Sequence, residues 1–340
     1  MILASVGSAV GLGNVWRFPT EAGRHGGAAF IMAYLIFVLI LALPVMCSEF
    51  FVGRAGKANA ADSFKHLMPG TRWPLVGYMG VLAGFLIFSF YVVVAAWTLF
   101  YTEECLRGAL LADRDFGLFF SDFSSSAWHP ILFVAIFMVA NTAIVASGMV
   151  IFPVVFSIGA QVDAGPGLVF ITLPHVFNAV LGATPVVNYL FSSFFYILLL
   201  VAALTSAISM HEMVTALLHE KSRLTRPQAA VVVALCAMVC AAACSLSFGP
   251  WRNITLFGMG FFDLFDFVTA KFMMPIGGLC FSVFAAWVMK RQFVERELCG
   301  ERPSRSAVWA MTVICLLMRY VAPLSLVGVF FYELWNWSSQ

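Results

Sequence analysis

The sequence predicts an all-α, polytopic membrane protein in which one helix is interrupted inside the bilayer. Apolar residues make up 62% of the 340 residues and charged residues only 11%, whereas a soluble domain carries about 25% charged residues. Several segments reach the roughly 20 apolar residues that a membrane crossing needs. The net charge of +2, with no basic run, gives no indication of a nucleic-acid-binding protein.

The candidate spans follow one another through the whole chain. They are residues 1–24, 28–52, 74–102, 128–159, 187–218, 228–249, 262–289 and 307–334. Residues 160–186 separate the fourth candidate from the fifth, and they contain Gly165-Pro166-Gly167 followed by an apolar piece that is too short to span. This stretch predicts a re-entrant or interfacial hairpin.

The first candidate contains the segment GSAVGLGNVWRFP at residues 7–19. Gly7, Gly11 and Gly13, followed by Asn14, make a continuous helix unfavourable here. Backbone groups freed by a break in the bilayer are tolerated only where they line a protein-enclosed cavity. Broken helices near the membrane midplane hold cations on carbonyl groups and anions at a helix N-terminus in transporters. The alternative is a glycine-rich helix that packs closely on a neighbour.

The charged loops predict the sidedness of the spans. The basic loops are 54–72, 221–226 and 290–305. We expect these loops to be cytoplasmic and the acidic loop 103–122 to be external. Two crossings, 128–159 and 187–218, would however return the chain to the outside before the second basic loop. Either one of these segments is not a simple span, or an odd number of crossings is missing, and the conflict is confined to residues 128–218.

Sequence motifs occur in a fixed order along the chain. They are ASVGSAVGLGNVWRFP at 4–19, His25-Gly26-Gly27, PVMCSEFFVGR at 44–54, SFYVVVAAW at 89–97, GPGLVFITLP at 165–174, AALTSAIS at 202–209, residues 262–266, and Met318-Arg319-Tyr320 with Pro323. This set resembles the neurotransmitter:sodium symporter family, in particular its bacterial-type amino-acid transporters. The resemblance implies a broken-helix, inverted-repeat transporter fold in the plasma (inner) membrane.

The resemblance has one internal gap. Residues 128–148 are similar to the family's fourth span, but residues 148–153 are similar to the second half of its seventh. The fifth and sixth spans have no counterpart, so the first repeat lacks its last helix and the second repeat lacks its first. The resemblance therefore implies a single transporter domain, residues 1–340, that is incomplete near residues 140–150, where the span count also conflicts.

The resemblance implies two sodium ions beside the first span. Sodium is a hard cation and binds oxygen ligands, so carbonyl and hydroxyl groups are the candidate ligands. The ligands implied for one site are the carbonyl groups of Gly7, Val10 and Ala202 and the hydroxyl groups of Thr205 and Ser206. Ala202, Thr205 and Ser206 are spaced i, i+3 and i+4, which places them on one helical face. The alternative is that both hydroxyl groups only bond back to their own helix.

The second implied sodium site is incomplete. Ala9 and Asn14 match its ligands, whereas the ligands that the family draws from the missing spans have no counterpart. Asn141 lies near the gap and is a candidate for an additional amide oxygen. The sequence leaves chloride dependence open.

The implied substrate is an amino acid or a related small amine. Its carboxylate group would meet the N–H groups around Gly11, Leu12 and Gly13, together with a sodium ion and the hydroxyl group of Tyr91, because a free helix N-terminus favours an anion. The residues implied at the side-chain end are Ser8, Ile87, Ser206 and Met210. The alternative for Tyr91 is an ordinary buried tyrosine.

Several charged residues are predicted at or near the membrane. Arg17 and Asp266 are similar to the family's external gate, a charge-assisted hydrogen bond that closes over the substrate; the alternative is that both snorkel to the outer interface. On the cytoplasmic side, Glu220 is the remaining candidate for a gate residue. Lys271 stands where the family has a neutral polar residue. It pairs with Asp263 or Asp266, occupies space that an ion would otherwise use, or simply reaches cavity water.

Two classes of function stay open. The first is sodium-coupled symport, with a small molecule and the lipid bilayer as partners. The second is a truncated, non-transporting remnant or a regulatory partner of a transporter, because of the gap. An enzyme has little support, since the histidines show no metal-ligand spacing and no nucleophile–base arrangement is visible. Cys236, Cys240 and Cys244 recur on one helical face, which favours small-residue packing over metal binding.

Overall fold

The structure, a computed structural model, describes residues 12–111, 114–147, 168–299 and 305–338. Helices dominate these residues, and the one β-bridge among them joins Leu256 to Met259. The described chain divides into two compact units. The first unit contains residues from 12–30 and 85–265, and the second contains residues from 31–84 and 266–338.

The helices are numbered in chain order. They are α1 (Leu12–Arg24), α2 (Ala28–Gly56), α3 (Ala60–Leu67), α4 (Pro74–Leu106), α5 (Phe116–Ser125), α6 (His129–Ser147), α7 (Leu173–Leu181), α8 (Pro185–Lys221), α9 (Arg226–Leu246), α10 (Phe261–Val288), α11 (Arg291–Cys299), α12 (Arg305–Leu316) and α13 (Ala322–Ser338). A π turn, Leu317–Val321, joins α12 to α13. The order of elements is therefore helix after helix, as an all-α membrane protein requires.

Among the described residues, six helices are long and apolar enough to cross a membrane. They are α2, α4, α8, α9, α10 and the continuous stretch Val308–Tyr332. Each coincides with a candidate span. The pair formed by α5 and the first part of α6 is bent by 76° and makes a seventh if it counts as one span. Candidates 1–24 and 128–159 are described only from Leu12 and only to Ser147, and their remaining residues lie outside the described part.

The stretch between α6 and α8 is described from Leu168. The π turn Leu168–Thr172 and α7 together give an apolar helix, Val169–Leu181, that is shorter than a span. Tyr196 of α8 is fully buried and donates its hydroxyl hydrogen to the Val169 carbonyl oxygen at 2.8 Å, which holds the start of this helix against α8. Residues 165–167 lie outside the described part, so the hairpin stays a prediction.

Aromatic side chains form the core of the first unit. Trp97 of α4 is 1% exposed and meets Phe120, Phe170 and Phe248 edge to face, at ring-centroid distances of 5.0, 5.8 and 5.1 Å. Such a pair contributes about 0.5–1.5 kcal/mol beyond the burial of its area. Trp97 therefore joins α4 to α5, to the turn before α7 and to the chain that follows α9.

In the second unit, a glycine permits close approach of two helices. A Cβ atom at Gly77 of α4 would lie 2.5 Å from the Ala60 carbonyl oxygen, at the start of α3. The ring of Phe64, also on α3, is fully buried against Phe281 and Phe284 of α10 at centroid distances of 5.1 and 4.8 Å. Because Gly77 has no side chain, α3 lies directly on α4 and presents Phe64 to α10.

Four π turns share one sequence feature, a proline two residues after the turn. The turns are Val38–Ala42, Leu168–Thr172, Val268–Met273 and Leu317–Val321, and the prolines are Pro44, Pro174, Pro275 and Pro323. A proline inside a helix lacks the N–H group, and its ring collides with the carbonyl group four residues earlier. That carbonyl group belongs to the π turn in all four cases, and the turn makes room by adding one residue.

Candidate functional site

The described part of the implied sodium site lies on α8 in the first unit. Ala202, Thr205 and Ser206 are 4%, 7% and 7% exposed, so all three lie on one buried face of the helix. The Thr205 hydroxyl group donates to the Ala202 carbonyl oxygen at 3.0 Å, which brings two of the implied ligand oxygens together. This is also the bond to its own helix that the sequence left as an alternative. A hydroxyl oxygen that donates keeps its lone pairs, so the bond is compatible with a cation ligand.

The other implied sodium ligands belong to the start of the chain. Gly7, Ala9 and Val10 lie outside the described residues. Asn14 lies on α1, and its side chain is outside the described part. The structure therefore brings together the α8 half of one site, and the remainder stays a prediction.

The implied substrate residues that the structure describes lie on α1, α4 and α8. Ser8 and Gly11 lie outside the described residues, and Leu12 and Gly13 are described only as helical backbone. Three side chains of the first unit are half-buried, namely Ile87 and Tyr91, one turn apart on α4, and Met210 on α8. Tyr91 and Met210 pack on the aromatic core of this unit.

The implied gate residues fall in different parts of the description. Arg17 lies on α1 with its side chain outside the described part, and Asp266 is half-buried in the second unit, so their pairing stays a prediction. Lys271 is half-buried within the π turn Val268–Met273. Glu220 is exposed near the end of α8.

A buried histidine in the first unit was missed by the sequence pattern. His211 of α8 and Asn141 of α6 are both fully buried. Nε2 of His211 lies 3.0 Å from the Ala230 carbonyl oxygen on α9, which can only accept, so Nε2 carries the hydrogen. Nδ1 then accepts from the amide nitrogen of Asn141 at 2.9 Å. Phe88 of α4 stacks on the imidazole at 5.1 Å, and His211 thus joins four helices.

The bond to His211 bears on the candidate role of Asn141 at the second sodium site. The amide nitrogen is engaged by the imidazole, whereas Oδ1 is buried and has no hydrogen-bond partner within the described ranges. A histidine in the candidate span 187–218 and an asparagine in the candidate span 128–159 were the available sequence indication of this pair. A role for Oδ1 as a sodium ligand stays a prediction.

The cysteine face predicted on α9 is only partly the packing face. The helix α9 packs against α6 and α8, and its buried small residues are mainly alanines. The fully or nearly fully buried positions of this stripe are Ala230, Ala237, Ala241 and Cys244. Cys240 is half-buried and Cys236 is exposed. The prediction is right for Cys244 and wrong for Cys236, because residues repeating every four positions drift around a helix of 3.6 residues per turn.

Comparison with known proteins agrees with this architecture. The profile of the Sodium:neurotransmitter symporter family matches residues 1–114 and 120–340. An uncharacterized sodium-dependent transporter of Bacillus subtilis (strain 168), YhdH, is 26% identical over 435 aligned positions, which cover 97% of this chain and 95% of the relative. The sodium-dependent neutral amino acid transporter B(0)AT2 of Rattus norvegicus is 33% identical over 113 residues, 33% of this chain and 15% of the relative.

The helical arrangement is also similar to a solved structure. The crystal structure of MhsT in complex with L-phenylalanine matches with a TM-score of 0.84 and 30% sequence identity, over 97% of each chain. The family match covers nearly the whole sequence, and the apolar helices described above make this a multi-pass membrane protein. This chain belongs to the sodium:neurotransmitter symporter family of sodium-dependent transporters, which are secondary transporters and not enzymes.

Proposed function

We propose that this chain carries out sodium-coupled symport of an amino acid or a related small amine across the plasma (inner) membrane. The observation that carries the proposal is the buried face of α8, where Ala202, Thr205 and Ser206 place oxygen groups inside an apolar core. Polar groups at membrane depth are costly, and they are kept where they have a partner or a function. A carbonyl group and two hydroxyl groups on adjacent turns suit a hard cation.

The substrate class in this proposal rests on relatives. MhsT was crystallised with L-phenylalanine, and B(0)AT2 is named a neutral amino acid transporter. We assign the substrate carboxylate group to the N–H groups around Gly11, Leu12 and Gly13 and to the Tyr91 hydroxyl group. The side-chain end is assigned to Ser8, Ile87, Ser206 and Met210, and the external gate to Arg17 with Asp266. Gly7 and Val10 complete the first sodium site, and Ala9 with Asn14 forms part of the second.

The test is thermal stability of the purified protein in detergent, in sodium against potassium. We expect sodium to raise the Tm and Thr205→Ala to remove that effect, because the variant loses a ligand oxygen. Thr98→Ala is the matched control. Thr98 is fully buried on α4, and its hydroxyl group donates to the Ala95 carbonyl oxygen at 2.6 Å, the same i to i−3 bond that Thr205 makes to Ala202.

The control separates a lost ligand from a damaged helix. Thr98→Ala is expected to lower the Tm in both cations and to keep the difference between them. Equal Tm values in sodium and potassium for the unmodified protein contradict the proposal. Loss of the sodium effect in both variants also contradicts it, because the effect is then not specific to the α8 face.

A second candidate function is a membrane protein that binds ligands without transporting them. The alignment with YhdH extends over 435 positions, more than the 340 residues of this chain, although it covers nearly all of both proteins. YhdH therefore has internal residues without a counterpart here, which supports an internal gap in this chain. Uptake into proteoliposomes distinguishes the two candidates. Symport requires accumulation of a labelled amino acid driven by a sodium gradient, whereas a remnant gives sodium-dependent stability without uptake.

A further inference from the structure

A small cleft in the second unit contains two arginine side chains. It has a volume of about 70 Å³, and Arg291, Arg319 and Tyr320 are among its lining residues. Three elements meet there, namely the end of α10, the start of α11 and the π turn Leu317–Val321. None of its lining residues is among those assigned to sodium or to substrate.

Pro323 determines how the cleft is built. Because Pro323 has no N–H group, it cannot donate to the carbonyl group of Arg319 four residues earlier. The indole N–H of Trp287, near the end of α10, donates to that carbonyl oxygen at 2.9 Å. The guanidinium group of Arg319 then lies over the Trp287 ring, with Cζ 4.5 Å from the ring centroid. The two helices are thus joined at the level of Arg319.

The end of α10 places this level near a membrane interface. The apolar helix α10 ends at Val288, one residue after Trp287, and the basic loop 290–305 follows it. The helices α12 and α13, with the π turn between them, run from Arg305 to Ser338 and are longer than one crossing needs, so the contact with Trp287 sets the depth of Arg319. Trp287 and Tyr320 are both exposed beside the cleft, as in the aromatic belts of membrane proteins.

The charge in the cleft is positive. Arg291 donates to the Glu295 carboxylate at 2.7 Å and to the Thr312 hydroxyl oxygen at 3.0 Å. Within the described ranges, no carboxylate lies within ion-pair distance of Arg319. The two guanidinium groups are therefore balanced by one carboxylate, that of Glu295. An anion that enters the cleft can accept hydrogen bonds from the N–H groups of Arg319, which are not bonded to a carboxylate within the described ranges.

We propose that this cleft binds the phosphate group of an anionic phospholipid from the adjacent leaflet. Guanidinium groups match phosphate oxygens with paired N–H donors, and basic pockets between spanning helices at the interface bind lipid head groups. Leu316 is 51% exposed beside the cleft and Trp287 is 54% exposed, so acyl chains find apolar surface next to the charged groups. A lipid can cover this apolar surface with its acyl chains, whereas a soluble phosphate would leave the surface exposed. The apolar surface therefore favours a lipid.

The test compares lipid compositions in nanodiscs. The protein is placed in phosphatidylcholine with and without phosphatidylglycerol, and the difference in Tm is taken within each variant, so that a change in basal stability cancels. We expect phosphatidylglycerol to raise the Tm. Arg319→Gln is expected to lose most of this shift and to bind the lipid roughly fivefold more weakly in a titration. Arg291→Gln, on another wall of the cleft, is expected to act in the same direction.

Arg54→Gln is the matched control. Arg54 is exposed at the end of α2 in the same unit, with Nε 3.6 Å from Glu297 of α11, and it does not line the cleft. We expect this variant to keep the lipid-dependent shift. A loss in Arg54→Gln as large as that in Arg319→Gln overturns the proposal in favour of general surface attraction. Stabilisation by inorganic phosphate in pure phosphatidylcholine, abolished in Arg319→Gln, overturns it in favour of a soluble anion.

Discussion

At the scale of single residues, His211 shows how a polar side chain is accommodated in an apolar span. Both ring nitrogens are bonded, one to the Ala230 carbonyl oxygen and one to the Asn141 amide nitrogen, and both side chains are fully buried. A buried hydrogen-bonded pair of this kind adds little to the free energy of unfolding. Removal of one partner lowers the free energy of unfolding, because the other group remains desolvated without a hydrogen bond.

We therefore expect Asn141→Leu to lower the free energy of unfolding by about 1–3 kcal/mol, since Nδ1 of His211 is then buried without a donor. His211→Leu is expected to cost a similar amount. The double variant is expected to cost less than the two single variants together, because neither polar group is left unpaired. Denaturant titration in detergent micelles gives the three values as a double-mutant cycle. Additive costs would show that the two side chains are not coupled.

At the scale of elements, the contact between α3 and α4 depends on the absence of one side chain. Gly77 and Gly80 lie three residues apart on α4, but their surroundings differ. A Cβ atom at Gly77 would meet the backbone of α3 at 2.5 Å, whereas one at Gly80 meets nothing within 4 Å in the described chain. The same substitution at the two positions therefore tests helix packing separately from helix propensity.

We expect Gly77→Ala to destabilise the protein by about 1–3 kcal/mol, because the backbones of α3 and α4 must separate. Gly80→Ala is expected to be stabilising by about 0.5–1 kcal/mol, since alanine favours a helix over glycine and nothing obstructs it. The Tm of both variants in one detergent provides the comparison. If Gly77→Ala is as stable as Gly80→Ala, the close contact between the two helices is wrong.

At the scale of the whole molecule, loop charges and the order of helices constrain the topology. The chain passes from the acidic loop beside Leu106 to the basic loop beside Lys221 through the bent α5–α6 pair, residues 148–167 and α8. If both α8 and the bent pair cross, loops of opposite charge would lie on the same face unless one further crossing exists. The positive-inside tendency places them on opposite faces.

Cysteine labelling measures this directly. In a background whose native cysteines are replaced by serine, we introduce Arg107→Cys, Arg223→Cys and Gln292→Cys, all at exposed positions. A membrane-impermeant maleimide applied to inside-out vesicles is expected to label residues 223 and 292 and to spare residue 107. Right-side-out vesicles serve as the control and are expected to give the reverse pattern. Labelling of 107 together with 223 from one face would remove the need for a further crossing.

The sequence predicted those features that depend on one helix at a time. Apolar length located α4 and α8, and helical spacing placed Thr205 and Ser206 on one face, which is buried. The bond between Asn141 and His211 joins residues 70 positions apart and depends on how α6 and α8 pack, which hydropathy does not encode. The cysteine stripe on α9 failed for a different reason, because a repeat of four residues drifts around a helix of 3.6 residues per turn and carries Cys236 out of the buried face that contains Cys244.

The π turns have a further consequence for the evolution of the sequence. Each turn before a proline equals a single residue inserted into a helix. A relative that lacks the proline can also lack the extra residue, so we expect one-residue gaps to fall inside spans and not only in loops. Pro323→Ala alone would rotate α12 by about 100° against α13 if the turn closed to an α-helix. Pro323→Ala combined with deletion of one residue from Leu317–Val321 would leave both faces where they are, so the two changes are expected to be inherited together.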